Sequence, residues 1–214
     1  MDYDEYMDLI LHLRPILRLN IPRGASVLDI GCGDGTVVNR LADNGINAVG
    51  IDLSPWTSGN NIIKGDAHIL PFKSHSFDYI ISFLVLGHLQ DEKKTMREIS
   101  RVTKPGGTIM LVHFADSLLN IKIKIWKALN LPLQHYKIYK LYTYSEAERV
   151  VNMAGFQKRN IYYTDYSPPL VNMLPKRIRK LTYSFLSGKD SAIATYFSRF
   201  GKKILVVAVK NRDV

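Results

Sequence analysis

The sequence predicts an α/β fold of the type that binds ligands beyond the carboxyl ends of its strands. Three observations carry this. Val27–Gly35 runs from a short apolar stretch into a loop with glycine at every second position: Gly31, Gly33 and Gly35. Glycine lacks a Cβ, so such a loop can turn sharply and admit a ligand against its backbone. The residues after it read in turn as helix, strand and further strand–helix units. At 214 residues and 46% hydrophobic, the chain is long and apolar enough for one domain with a full core.

The elements follow in order. Asp4 to Leu19 has apolar residues near helical spacing, interrupted by Pro15, and reads as a bent leading helix. Val27, Leu28 and Ile30 form the first buried strand, and Thr36 to Leu41 opens a helix. Asn47 to Asp52 is a second strand ending in an acid 17 residues beyond Gly35, near the distance at which a carboxylate reaches ribose hydroxyls in such folds. Asn61 to Lys64 is a short third strand and Ser76 to Ser82 a fourth. Glu98 to Ile109 holds the end of a helix, a Pro105-Gly106-Gly107 turn and the fifth strand. Thr143 to Ala154 is a helix capped by Ser145 and ended by Gly155. Phe156 to Tyr163 is the sixth strand and Lys203 to Lys210 the last.

The glycine loop departs from the dinucleotide fingerprint G-x-G-x-x-G, because position 36 is Thr36. It reads G-x-G-x-G after Asp29. Gly65 to Phe72 reads Gly-Asp-Ala-His-Ile-Leu-Pro-Phe, and the fourth strand, Pro-Gly-Gly segment and fifth strand follow in order. Together these resemble the class I methyltransferases that use S-adenosylmethionine (SAM), in their type 11, quinone-methyltransferase-like branch. The likeness covers residues 27 to about 113. SAM carries no phosphate, so a loop short of the phosphate fingerprint suits it.

The resemblance implies a Rossmann-like, seven-stranded, mostly parallel sheet with an antiparallel last strand between the fifth and sixth, helices on both faces and a small helical cap. It implies SAM as cofactor. Asp29, Gly31, Cys32 and Gly33 would lie at its methionine part, with only the backbone of Cys32 involved. Asp52 would take the ribose, Leu53 the adenine face, and Asp66 and Ala67 the adenine edge; Ser82 completes the set at the end of the fourth strand. The family usually has a helix between the second and third strands. Only seven residues, 54–60, separate Leu53 from Asn61 here, so that crossover reads as a loop with Trp56 free to cover the adenine pocket. No metal site is expected. His88 and His113, past the fourth and fifth strands, are the candidates for catalysis, ahead of His68 and His135. Methyl transfer depends mainly on proximity and orientation, so motifs define its catalytic groups poorly.

Charge is uneven. Residues 1–115 carry a net −2 and residues 116–214 a net +12, within an overall +10. That asymmetry points to an anionic partner. Pro168 to Leu186 reads as a basic amphipathic helix, which leaves open packing on the core with a solvated basic face, an anionic membrane surface or an anionic acceptor. Leu118 to Leu131 is apolar with interspersed lysines and leaves helix and edge strand open. The domain is expected to be single, with a core at about 24–115, 143–163 and 203–210 and acceptor or cap insertions at about 116–142 and 164–200. One cysteine excludes a disulfide framework, and the acidic start is unlike a signal peptide. No apolar run reaches the length of about 20 residues that spans a bilayer. The expected location is cytoplasmic, with peripheral membrane contact open.

Three functions fit: methyl transfer to a small or lipophilic acceptor, which the aromatic-rich C-terminal half favours; methyl transfer to RNA, which the basic half favours; or SAM binding without catalysis. No appended RNA-binding module is apparent.

Overall fold

The computed structural model describes residues 16, 19–55, 61–117, 124–125, 128–129, 140–164 and 203–212. The elements are β1 (Ser26–Ile30), α1 (Thr36–Asp43), β2 (Asn47–Asp52), β3 (Ile62–Lys64), β4 (Phe77–Phe83), a 3-10 turn (Leu86–His88), α2 (Glu92–Val102), β5 (Thr103–Phe114), α3 (Tyr144–Met153), β6 (Phe156–Thr164) and β7 (Lys203–Lys210). Seven strands form one sheet in the order β3-β2-β1-β4-β5-β7-β6. Neighbouring strands run parallel except at β7, which is antiparallel to both β5 and β6. The expected sheet, including the place of the inserted last strand, is what the chain forms.

Side chains alternate across a strand, so one sequence supplies two faces. Leu28, Ile30, Ile80, Ile109 and Leu111 turn to the face covered by α2 and α3, where Ile99 and Val151 are fully buried. Val27, Ile81, Met110 and Val112 turn to the other face, against Val38 and Leu41 of α1 and against Ile16. Helices thus lie on both faces, and a sheet covered on both sides reads in sequence as continuous Val/Ile/Leu runs.

Two local expectations need correction. Pro105-Gly106-Gly107 is not a turn between helix and strand. β5 begins at Thr103 directly after α2, and the segment is a bulge inside it: Phe77 pairs with Thr103, but Tyr79 pairs with Thr108. Gly106 takes the left-handed φ of 75° that the bulge requires. The α3 cap is Thr143, not Ser145. Thr143 is extended, its hydroxyl accepts from the Glu146 amide at 3.3 Å, and Glu146 returns a carboxylate to the Thr143 amide at 2.9 Å, a capping box.

Asp78 locks the base of the sheet. Its carboxylate accepts from the Ser26 amide at 2.9 Å, the Ser26 hydroxyl at 2.6 Å and Lys104 Nζ at 2.8 Å. Desolvation opposes ionisation there, but these donors outweigh it and hold the carboxyl at about 2. Among the described residues no helix is long and apolar enough to cross a membrane. The expected helical cap, most of the leading helix, Trp56, His135 and the segments 118–123, 130–139 and 165–200 lie outside the described residues.

Candidate functional site

In this strand order the chain reverses between β1 and β4, and the crevice beyond their carboxyl ends is where such sheets bind ligands. The glycine loop leaves β1 there. Gly31 and Cys32 both donate to the Ile51 carbonyl, at 2.7 and 3.2 Å, which pins the loop to β2. Gly31 has φ 78°, and a Cβ on it would come within 2.1 Å of Val85 Cγ2, just past β4. Only glycine lets the two strand ends close at this point. Gly33 has φ 53° and nothing within 4 Å of where its Cβ would be, so its outer side is open.

Four acids surround this loop. Asp29 is 3% exposed at the end of β1. Burial, with Asp52 and Asp34 nearby as like charges, pushes it up to about 7. Asp52 binds the loop directly: one oxygen accepts from the Gly33 amide at 3.0 Å, the other from the Ser54 amide at 2.9 Å. Asp66 follows β3; its Oδ1 accepts from the His68 amide at 2.8 Å and lies 2.7 Å from His68 Nδ1. The His68 amide is the main reason its carboxyl titrates below the usual range. The Ala67 amide meets no acceptor among the described residues. Leu53, at 68% exposed, and Ile69, at 66%, are large apolar side chains left in solvent on the same rim.

This set is short of one thing, a positive charge. A cationic ligand beside Asp29 would relieve its crowding by Asp52 and Asp34. SAM brings an ammonium and a sulfonium, and its ribose hydroxyls and adenine offer donors to Asp52 and Asp66 and an acceptor to the Ala67 amide. Exposed Leu53 supplies an apolar surface for a base. The residues present fit that cofactor.

Two of the site residues read from sequence have other roles visible. Ser82 is fully buried, and its hydroxyl donates to the Ile30 carbonyl at 3.1 Å, stitching β4 to β1. The Cys32 thiol packs on Gly50, where an added Cβ would sit 2.6 Å from Sγ, and burial pushes it up to about 12. Its thiol is inert at neutral pH.

Past β4, His88 closes the 3-10 turn and meets Phe114 edge-on at 6.0 Å. His113 is fully buried in β5, with both ring nitrogens unpartnered among the described residues. Burial, then the Lys140 charge, pull it down to about 3, so it is a poor base. It lies 4.3 Å from the Tyr142 ring. Tyr142 donates to Glu92 at 2.6 Å, Lys140 pairs with Glu92 at 2.6 Å, and burial with the Glu92 contact raises the phenol above its usual range. Glu92, Lys140 and Tyr142 are not legible as a group, because Glu92 lies 48 and 50 residues before the other two and no motif joins them. Leu84 was missed as well: at φ 60° it is a strained non-glycine residue where β4 ends.

The family model described as "Methyltransferase domain" matches residues 3–161. A demethylmenaquinone methyltransferase of Renibacterium salmoninarum is 35% identical over 100 residues, covering 43% of this chain and 42% of that protein. A norajmaline N-methyltransferase of Rauvolfia serpentina is 36% identical over 110 residues, covering 44% and 38%. The chain thus spans about two fifths of the length of these relatives. A SAM-dependent methyltransferase structure from Methanosarcina mazei superposes with a TM-score of 0.64 at 18% identity, over 93% of this chain and 98% of that one, which shows the shared fold.

Proposed function

This chain belongs to the SAM-dependent methyltransferase-domain family, and on that premise we propose that it transfers the cofactor's methyl group to a small or lipophilic acceptor. When bound, SAM supplies an electrophilic methyl on a sulfonium. The chain's own part is to seat the cofactor and aim the acceptor. The observation that carries the reading is Asp29, a buried acid held among like charges at the mouth of the β1 loop with no cation beside it among the described residues. The names of the two sequence relatives, a demethylmenaquinone methyltransferase and a norajmaline N-methyltransferase, support the acceptor class.

The buried, weakly basic His113 and the Glu92-bound Tyr142 supply no strong base near the end of β5. That arrangement suits an acceptor that is already nucleophilic or readily ionised. A second reading, an RNA acceptor, is favoured by the net +12 of residues 116–214.

Calorimetric titration with SAM and with NAD, followed by transfer of labelled methyl to a panel of demethylated quinones and to total RNA, tests both steps. SAM binding lost in Asp52→Ala, without NAD binding, and label on a quinone are the expected results. Label on RNA alone, with a steep salt dependence, would replace the first reading by the second. Absence of SAM binding by folded protein would overturn the cofactor assignment.

A further inference from the structure

The sheet has a second concave feature, at the opposite edge from the glycine loop. A cleft of about 370 Å³ is lined by Gly106, Gln157, Arg159, Lys210, Asn211 and Arg212. Two bulges frame it. The β5 bulge brings Gly106 to one side, and the β6 register shift between Lys158 and Asn160 leaves Arg159 as the extra residue on the other. Bulges re-aim side chains in this way. Lys210, 9% exposed, donates to the Ser100 and Thr103 carbonyls at 2.9 and 3.1 Å, so its ammonium is already partnered and the guanidinium residues are left to a ligand. Arg212 Nε lies 3.5 Å from where a Gly106 Cβ would be, so the guanidinium rests over a residue without a side chain.

Arg159 and Arg212 therefore line one cleft with Lys210 beside them, and among the described residues no acid lines it. The ion pairs of the described residues engage Arg101, Lys104, Lys124, Lys140 and Lys158, but neither Arg159 nor Arg212. Like charges held together without a counter-charge repel one another, and a bound anion removes that repulsion. Guanidinium forks match phosphate oxygens in pairs, and the Gln157 and Asn211 amides add neutral donors. From Gly106 to Phe114, β5 spans about 25 Å of extended chain, so this cleft is separate from the cofactor edge. We propose that it binds a phosphate group, carried by a free phosphorylated ligand or by a lipid headgroup.

The test is calorimetric titration of the full chain with inorganic pyrophosphate at low salt, with SAM affinity and the unfolding midpoint recorded alongside. One site per chain is expected. Arg159→Gln/Arg212→Gln and, separately, Asn211→Asp are each expected to raise Kd at least tenfold while SAM affinity stays unchanged. Co-sedimentation with phosphatidic acid vesicles, lost in the double variant and competed by pyrophosphate, assigns the headgroup; pyrophosphate binding without co-sedimentation assigns the free ligand. No binding by the parent chain, or equal binding by both variants, overturns the proposal. So does binding that appears only in Asp213→Asn, because the cleft would then seat the chain's own carboxylate. SAM binding that fails in the parent chain bears on the proposed function and leaves this outcome separate.

Discussion

Replacing Asp29 by asparagine isolates the electrostatics of the glycine loop. In the folded chain Asp29 is pushed up from 3.8 to about 7. The folded state therefore binds more protons than the unfolded one across this interval, so stability falls as pH rises. The loss begins near 4 and is complete above about 7. At 1.36 kcal/mol per tenfold change, the ionised group costs the protein about 4 kcal/mol near pH 8 and about 2 kcal/mol near pH 5. Asp29→Asn removes this titration but leaves a buried amide, itself worth about 1–3 kcal/mol if unpaired. The diagnostic quantity is thus the slope. Between about pH 5 and pH 8 the parent chain should lose about 2–3 kcal/mol more than the variant in urea unfolding. SAM affinity should show the reciprocal trend, rising through pH 7 in the parent and staying weak and flat in Asp29→Asn. Parallel pH profiles for the two proteins would refute the idea that burial of Asp29 beside Asp52 and Asp34 destabilises the glycine loop.

Gly31→Ala should cost about 2–4 kcal/mol, combining a left-handed backbone position with the close approach of Val85. Val85→Ala should recover at least 1 kcal/mol of it in the double variant, and strict additivity in a double-mutant cycle would show that the contact is not shared. Cys32 should react with thiol reagents at neutral pH no faster than unfolding exposes it, since burial pushes the thiol up to about 12; stoichiometric labelling of the native protein would contradict its packing on Gly50.

What was legible in the sequence is what local geometry demands. Glycines at 31 and 33 announce left-handed backbone and close approach, and an acid at the end of β2 announces a ligand for polar donors; both are properties of a few adjacent residues. The sheet order, including the placement of β7, is what the resemblance to the class I methyltransferases implies, and that resemblance rests on motifs appearing in order. The bulge at Gly106 and the cap at Thr143 were misread for a common reason. Pro-Gly-Gly and Thr-Tyr-Ser-Glu each permit two local structures, and the choice is made by tertiary pairing: Phe77 and Tyr79 across the sheet for the first, the extended entry of the chain into α3 for the second.

The same distinction separates the two ends of the sheet. The cofactor rim is built from residues that each follow a strand directly, so motif and site coincide. The cluster beyond β5 takes Glu92 from the first turn of α2, His113 from β5 and Tyr142 from a segment running in parallel beside Ala115. Their contacts exist only once the fold has brought them together. The basic cleft is more extreme, since Gly106, Arg159 and Arg212 come from three segments and depend on two bulges whose positions the sequence leaves open. A fold of this kind can hold its cofactor residues fixed while acceptor and surface sites vary, because the former hang on strand ends and the latter on irregularities between strands.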